Sequence, residues 1–216
     1  MRLGELAQES GFSAATVKYY LREGLLPPGR PTGPRSADYD QTHLRRLRMI
    51  RALRETGGLS IEAIRDVVQA VDDPQVEIHD MLGAAQRAAT GEVPDSTPAA
   101  RRAARQLANA RGWSISPQSH GLRALAAALE PLQSFGHPVT ADALRPWADA
   151  ADLVAAAEVQ GAPDDDLPRD ARAEFVALGT VLYGAVLAAL RLLAEESLSS
   201  SVYAGRPRRQ PNTSST

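Results

Sequence analysis

The chain has 216 residues, 44% of them hydrophobic, and a formal net charge of -2, enough for one large domain or two small ones. It contains no cysteine, which excludes disulfides, thiol catalysis and thiolate metal sites. The charge is uneven: residues 1–71 hold 11 Lys+Arg against 8 Asp+Glu, and residues 72–216 hold 13 against 18, so the N-terminal end suits nucleic acid.

Leu3, Leu6 and Ala7 share one helical face, and Ser10-Gly11-Phe12 is a turn signal. Ser13 is placed to cap a second helix and Gly24 to close it in a left-handed conformation. Val17, Tyr20 and Leu21 mark its inward stripe. Thr16, Lys18, Tyr19 and Arg22 are left outside, with a hydroxyl, two cations and a phenol for phosphates and base edges. Lys18 is the only lysine in the chain. Of the two tyrosines, Tyr20 reads mainly as core and Tyr19 mainly as a phosphate contact. Helix, glycine-bearing turn and helix make a helix-turn-helix.

Leu25 and Leu26 should fold back into the core. The run from Pro27 to Arg35 forbids helix and favours an extended loop, a wing carrying Arg30 and Arg35, with Tyr39 just beyond. Residues 40–55 form a strong helix with Leu44, Leu47 and Ile50 inward. Arg45, Arg46, Arg48, Arg51 and Arg54 read as a mostly solvated face, one or two of them touching the DNA backbone with His43 beside them. Gly57-Gly58 ends this helix. Ser60 caps the next, which runs to about Val71, and its N-terminal amides are a candidate phosphate seat.

These segments resemble one family. The residues that carry the likeness are Leu3-Gly4-Glu5-Leu6-Ala7, Gly11-Phe12-Ser13, Thr16-Val17-Lys18-Tyr19-Tyr20, Glu23-Gly24-Leu25-Leu26, Leu47-Arg48-Met49-Ile50-Arg51 and Leu59-Ser60-Ile61-Glu62-Ala63-Ile64. Together they resemble the MerR family of bacterial transcription regulators. The resemblance implies a winged helix-turn-helix that places Thr16, Lys18 and Tyr19 at DNA with Tyr20 adjoining, Arg35 and Tyr39 on the wing, and Ser60 near the phosphates. Ser13 and Arg22 complete the DNA-facing set. Lys18 stands where the family usually has arginine. The family also implies a homodimer on near-palindromic, double-stranded promoter DNA, deformed so that RNA polymerase elements align. Its long dimer helix is not evident here, since residues 75–90 allow only about four turns, so dimerisation falls partly to later helices.

Beyond Asp72-Asp73-Pro74, helical patterns cover 75–90, 99–111, 118–134, 140–160 and 169–196, with no alternating strand pattern and no repeat. The expected fold is mainly α: a winged helix-turn-helix at 1–72, a helical linker or dimerisation region at 73–112, an all-helical domain at 113–196 and a disordered tail at 197–216. Phe175 to Leu193 is apolar nearly all round. The uncharged run between Glu174 and Arg191 is shorter than the roughly 20 residues of a membrane span, so it reads as a buried helix, the centre of the C-terminal domain or the dimer seam. Trp113, Phe135, Trp147, Phe175 and Tyr183 could line a pocket for a small apolar effector, or be plain core.

Asp164-Asp165-Asp166 reads as a solvated loop, because consecutive carboxylates do not converge on one ion. No metal, cofactor or enzymatic constellation is expected, and no apolar leader follows Met1, so the chain reads as cytoplasmic. The expected function is a regulator of MerR type. The alternative is a DNA-tethered protein whose helical part recruits a protein partner without an effector.

Overall fold

The computed structural model describes residues 1–34, 36–116, 118–161 and 167–203. Helices α1 (Leu3–Ser10) and α2 (Ala14–Arg22) form the helix-turn-helix. The Ser13 hydroxyl accepts the Thr16 amide at 3.0 Å and so caps α2. Gly11 and Gly24, with φ of 68° and 72°, end α1 and α2 in the left-handed region, where a side chain would be strained. Past Gly24 the amides of Leu25 and Leu26 donate to the Tyr20 carbonyl and turn both leucines into the core.

The expected wing is a hairpin of β1 (Arg30–Gly33) and β2 (Ser36–Asp38), antiparallel, with Arg30 opposite Asp38 and Pro31 opposite Ala37. Met1 fixes its far end, donating to the Tyr39 carbonyl at 2.7 Å and accepting the Tyr39 amide at 2.8 Å.

Asp40 caps α3 (Gln41–Arg51), accepting from the Thr42 and His43 amides. The Thr42 hydroxyl and the His43 ring hold its carboxyl well below the usual range. After α3 the chain makes one π-helical turn, Ala52–Thr56, and α4 (Ile61–Asp72) starts at the Ser60 cap. Leu6, Val17, Tyr20, Leu25, Leu47, Ile50, Leu53 and Ile64 are fully enclosed between these helices. Each such large apolar side chain stabilises the fold by about 1.5–3 kcal/mol.

Two expectations about α3 are corrected here. Arg46 is buried and pairs with Asp72 on α4, because its place on the helix faces α4 and the guanidinium needs a carboxylate once desolvated. His43 is buried as well, its Nδ1 2.8 Å from Asp40, so it does not reach toward DNA.

α5 (Ile78–Thr90) lays Met81 and Ala85 on the same core. α6 (Pro98–Ala110) and α7 (His120–Ser134) pack on each other around a separate, small core of Ala100, Ala104, Ala126 and Leu129. Their packing spans residue 112, the expected boundary between the linker or dimerisation region and the helical domain. α8 (Arg145–Gln160) buries only Ala148.

The last helix, α9 (Arg169–Tyr203), returns to the first core with Ala173, Ala177 and Val181. Arg169 donates to the Val71 carbonyl at 3.2 Å and to those of Asp73 and Val76, a cation at the C-terminal end of α4. Val181 lies where a Cβ on Gly57 would be, so only glycine permits that approach. Residues 1–182 make one compact unit, and 183–216 a second, whose described part, 183–203, is helix.

The expected buried helix is therefore corrected. From Phe175 to Leu193 only Ala177 and Val181 are buried, and Val186, Leu190 and Leu193 are exposed. An all-round apolar pattern does not say which stripe packs. The helix also runs to Tyr203, into the stretch expected as tail. Among the described residues, Ala171–Val202 is long and apolar enough to cross a membrane by length and composition. Yet Glu174 pairs with Arg45, and Arg191 with Glu195, within that stretch.

Candidate DNA interface

The inward side of α2 is locked by Val17 and Tyr20, both fully buried. This leaves Ser13, Lys18 and Arg22 exposed, with Thr16 and Tyr19 half-exposed among them. Thr16 Oγ1 lies 2.8 Å from Ser13 Oγ, so the cap also orients the threonine. The Arg22 guanidinium stands 5.4 Å from the Tyr19 ring centroid and its Nε 3.6 Å from Glu23. Lys18 makes no ion pair among the described residues. It lines a cleft of about 520 Å³ with Arg2, Leu21 and the wing residues Pro31, Gly33 and Pro34. The helix cation and the wing thus border one space.

Arg2 escaped sequence reasoning. Its Nη1 donates to Thr32 Oγ1 at 2.7 Å and its Nε lies 3.6 Å from Asp38, clamping both wing strands to α1. A lone arginine ahead of a short helix carries no signal of such a role. The arginines of α3 brace the reader in the same way. Arg51 lies over the Phe12 ring, 4.4 Å from its centroid, and Arg54 of the π turn donates to Tyr20 Oη at 3.2 Å. From α4, Arg65 holds Glu23 at 2.9 Å and ties down the end of α2.

Two of the expected DNA residues are buried. Tyr20 is 0% exposed, and its hydroxyl is taken by Arg54, so it supports α2 from beneath. Tyr39 is 9% exposed and its ring meets His43 edge-on, so it borders the Lys18 cleft from the core rather than from the wing surface. The backbone bonds to Met1 pull it inward. Arg35 lies outside the described residues, as does the Asp164–Asp166 run. Ser60 is exposed and caps α4, accepting the Ala63 amide at 3.2 Å. The expected phosphate seat there is already partly filled: the Glu62 carboxylate takes its own backbone amide and the Ser60 hydroxyl, which lowers its pKa.

The five aromatics of the expected effector pocket do not converge. Trp113 and Trp147 line an apolar cleft of about 630 Å³ with Leu107, Leu122, Leu125 and Leu144. Phe135 is 83% exposed at the end of α7, Phe175 is on the outer side of α9, and Tyr183 belongs to the second unit. Trp113 Nε1 donates to Asp152 Oδ1 at 2.7 Å, and Arg111 holds Asp149 at 2.6 Å and Asp152 as well. Arg111 first, and Trp113 second, lower the pKa of Asp152, while Asp152 and Asp149 raise that of Arg111. Among the described residues no cluster of three or more His, Asp or Glu is arranged to hold a metal.

Residues 1–71 match the model of the MerR HTH family regulatory proteins. The HTH-type transcriptional regulator AdhR of Bacillus subtilis is 38% identical over 64 residues, 30% of this chain and 45% of AdhR. The mercuric resistance operon regulatory protein of Bacillus cereus is 32% identical over 80 residues, 37% of this chain and 60% of that protein. The chain thus spans less than two thirds of either relative. A crystal structure of SCO5550, a candidate transcriptional regulator of Streptomyces coelicolor A3(2), aligns with a TM-score of 0.70 and 33% identity. That likeness covers 96% of this chain and 100% of SCO5550, so it extends through the helical region that the family match leaves out. The reader helix, its wing and these relatives agree: the chain belongs to the MerR family of helix-turn-helix transcriptional regulators.

Proposed function

We propose that the protein is a cytoplasmic homodimer that sits on promoter DNA, deforms it for RNA polymerase, and answers to a small apolar effector held in its helical region. One observation carries the DNA reading. The outer face of α2 presents Lys18 without an ion pair among the described residues, bordering the same cleft as the wing, while its inner face is immobilised by Tyr20 and Val17. A helix held this way enters a major groove with Thr16, Lys18, Tyr19 and Arg22 toward the bases and phosphates, and the hairpin lies along the flanking backbone. The exposed row Val186, Leu190 and Leu193 on α9 supports pairing with a second copy. The Trp113–Trp147 cleft supports an effector.

DNase I protection of the DNA upstream of its own coding sequence tests the reading. A dimer should protect two half-sites about one helical turn apart, centre to centre, and Lys18→Ala should weaken the footprint without changing thermal unfolding. An unchanged Lys18→Ala footprint would overturn the assignment of α2. Sedimentation of the full chain without detergent tests the dimer, with Leu190→Glu expected to yield monomers. A monomeric wild type overturns it.

A further inference from the structure

The tryptophan cleft is not closed. Gln86, Ile115 and Ser119 belong to its wall and also to the wall of a polar cleft of about 730 Å³, so the two clefts adjoin. The polar cleft carries Arg87 from α5 and His120 and Arg123 from α7, with one carboxylate, Asp80. His120 Nδ1 lies 3.2 Å from Arg123 Nη2, and its Nε2 meets the Thr90 hydroxyl. Neither arginine is ion-paired with a carboxylate among the described residues. On their other side these three residues border a groove along α4 that holds Glu62, Asp66, Asp73 and Glu92, again without an ion pair to either arginine. Burial, followed by repulsion from Arg123 and Arg87, depresses the His120 pKa, the mark of a locally positive spot.

An open apolar cleft, with Trp147 64% exposed at its edge and a cationic cleft beside it, complements one class of small molecule. We infer that the effector is an apolar acid, an aliphatic or aromatic carboxylate whose hydrocarbon body lies against Trp113 and Trp147 and whose carboxylate meets Arg87 and Arg123. The guanidinium forks donate to the two oxygens of a planar carboxylate, and the leucines of the wall account for the rest of the ligand. This deepens the effector reading proposed above and rests on it. It also supplies a route to the reader. Arg87 sits on α5, which shares the first core with α4, and α4 holds the end of α2 through Arg65 and Glu23.

Trp113 and Trp147 are the only tryptophans in the chain, so fluorescence excited selectively at tryptophan, beyond the absorption of the five tyrosines, reports this cleft. The test titrates the full-length protein, below micellar concentrations, with decanoate, 1-decanol and decyltrimethylammonium. Decanoate should bind about tenfold more tightly than decanol, the value of one charge-assisted contact. The double variant Arg87→Gln/Arg123→Gln should lose that advantage and keep its affinity for decanol. Both arginines are exposed, so the cores stay intact. Trp147→Ala should weaken decanoate and decanol alike. If decanol or the ammonium compound binds as well as decanoate, or the double variant binds decanoate unchanged, the acid is overturned while the effector reading stands. If none of the three perturbs the tryptophans, both fall, and the DNA reading is still judged by the footprint.

Discussion

Around α1 to α4 the enclosed side chains are large: Tyr20, Leu6, Leu47, Ile50 and Leu53. Between α6 and α7 they are Ala100, Ala104 and Ala126, with Leu129 the one large enclosed side chain among the described residues and Leu122, Leu125, Val139 and Leu144 partly buried against it. Alanines let two helices approach but fill little of the space beside them, and the tryptophan cleft opens beside that alanine core. The first region holds one geometry, as a groove reader must. The second leaves room that a ligand can fill. Four arginines that support the reader, Arg46, Arg65, Arg54 and Arg51, are tied to Asp72, Glu23, Tyr20 and Phe12 in turn. Near the cleft, Arg87 and Arg123 meet no carboxylate among the described residues.

The largest expected effect tests the packing half of this contrast. Ile50→Ala should cost about 2–5 kcal/mol of stability, because a tightly filled site cannot collapse around the lost atoms. Leu129→Ala removes a side chain of the same size from a looser setting and should fall at the low end of that range, about 2 kcal/mol. Urea unfolding of the two variants measures both. Equal losses would show that the alanine core is as unyielding as the other.

Next in size is a change on the reader surface. Lys18→Ala should cost about 1–3 kcal/mol of DNA affinity if the ammonium reads a base edge. If it neutralises one phosphate instead, the salt slope should fall by about 1 and the loss should be uniform across sequences. Binding titrations at several salt concentrations, on the footprinted site and on an unrelated duplex, separate the two cases. Tyr39→Phe should leave DNA affinity nearly unchanged, since Tyr39 borders the Lys18 cleft but is only 9% exposed. A loss matching that of Lys18→Ala would restore Tyr39 to the interface.

Much of the reader was legible because its signals are local. The Ser13 cap, Gly24 and the Val17–Tyr20 stripe lie within one short segment, and each keeps its predicted role. Contacts between distant segments were not legible. Tyr39 is drawn inward by Met1, Arg46 by Asp72, and Ala173, Ala177 and Val181 join a core whose other members precede residue 90. Periodicity marked α9 as apolar but could not choose among its faces, since small residues and leucines alternate all round it. Of the aromatics gathered by composition into one pocket, the two tryptophans line a common cleft and the others do not, because nothing in sequence spacing ties Phe135 or Phe175 to them.

A smaller effect concerns pH and the frame of α3. Asp40 has a depressed pKa in the folded chain and about 3.9 when unfolded. Its ionised form therefore favours the fold above about pH 4, and that contribution is lost as pH falls through 3.9 toward the folded value. Wild type should lose more melting temperature between pH 6 and pH 3 than Asp40→Asn, which starts lower and lacks this titration. Parallel curves would mean that the Thr42 and His43 contacts to Asp40 do not hold the start of α3.

The smallest effect falls on α8. It buries only Ala148, and Arg111 fastens it through Asp149 and Asp152, with Trp113 sharing the second carboxylate. These side chains are partly solvated, so the clasp adds little to global stability. Its role is local: it holds the helix that carries Trp147 against the loop that carries Trp113. Arg111→Met should speed amide exchange across residues 145–160 and make the tryptophans more open to acrylamide, with the α6–α7 amides and the DNA affinity unchanged. Acid should act like the variant as Asp152, whose pKa is lowered by the clasp, takes up its proton. If exchange across α8 is the same with and without Arg111, apolar contact alone holds the helix. The cleft would then be a fixed slot, and the division between a firm reader and a yielding helical region would have to rest on the alanine core by itself.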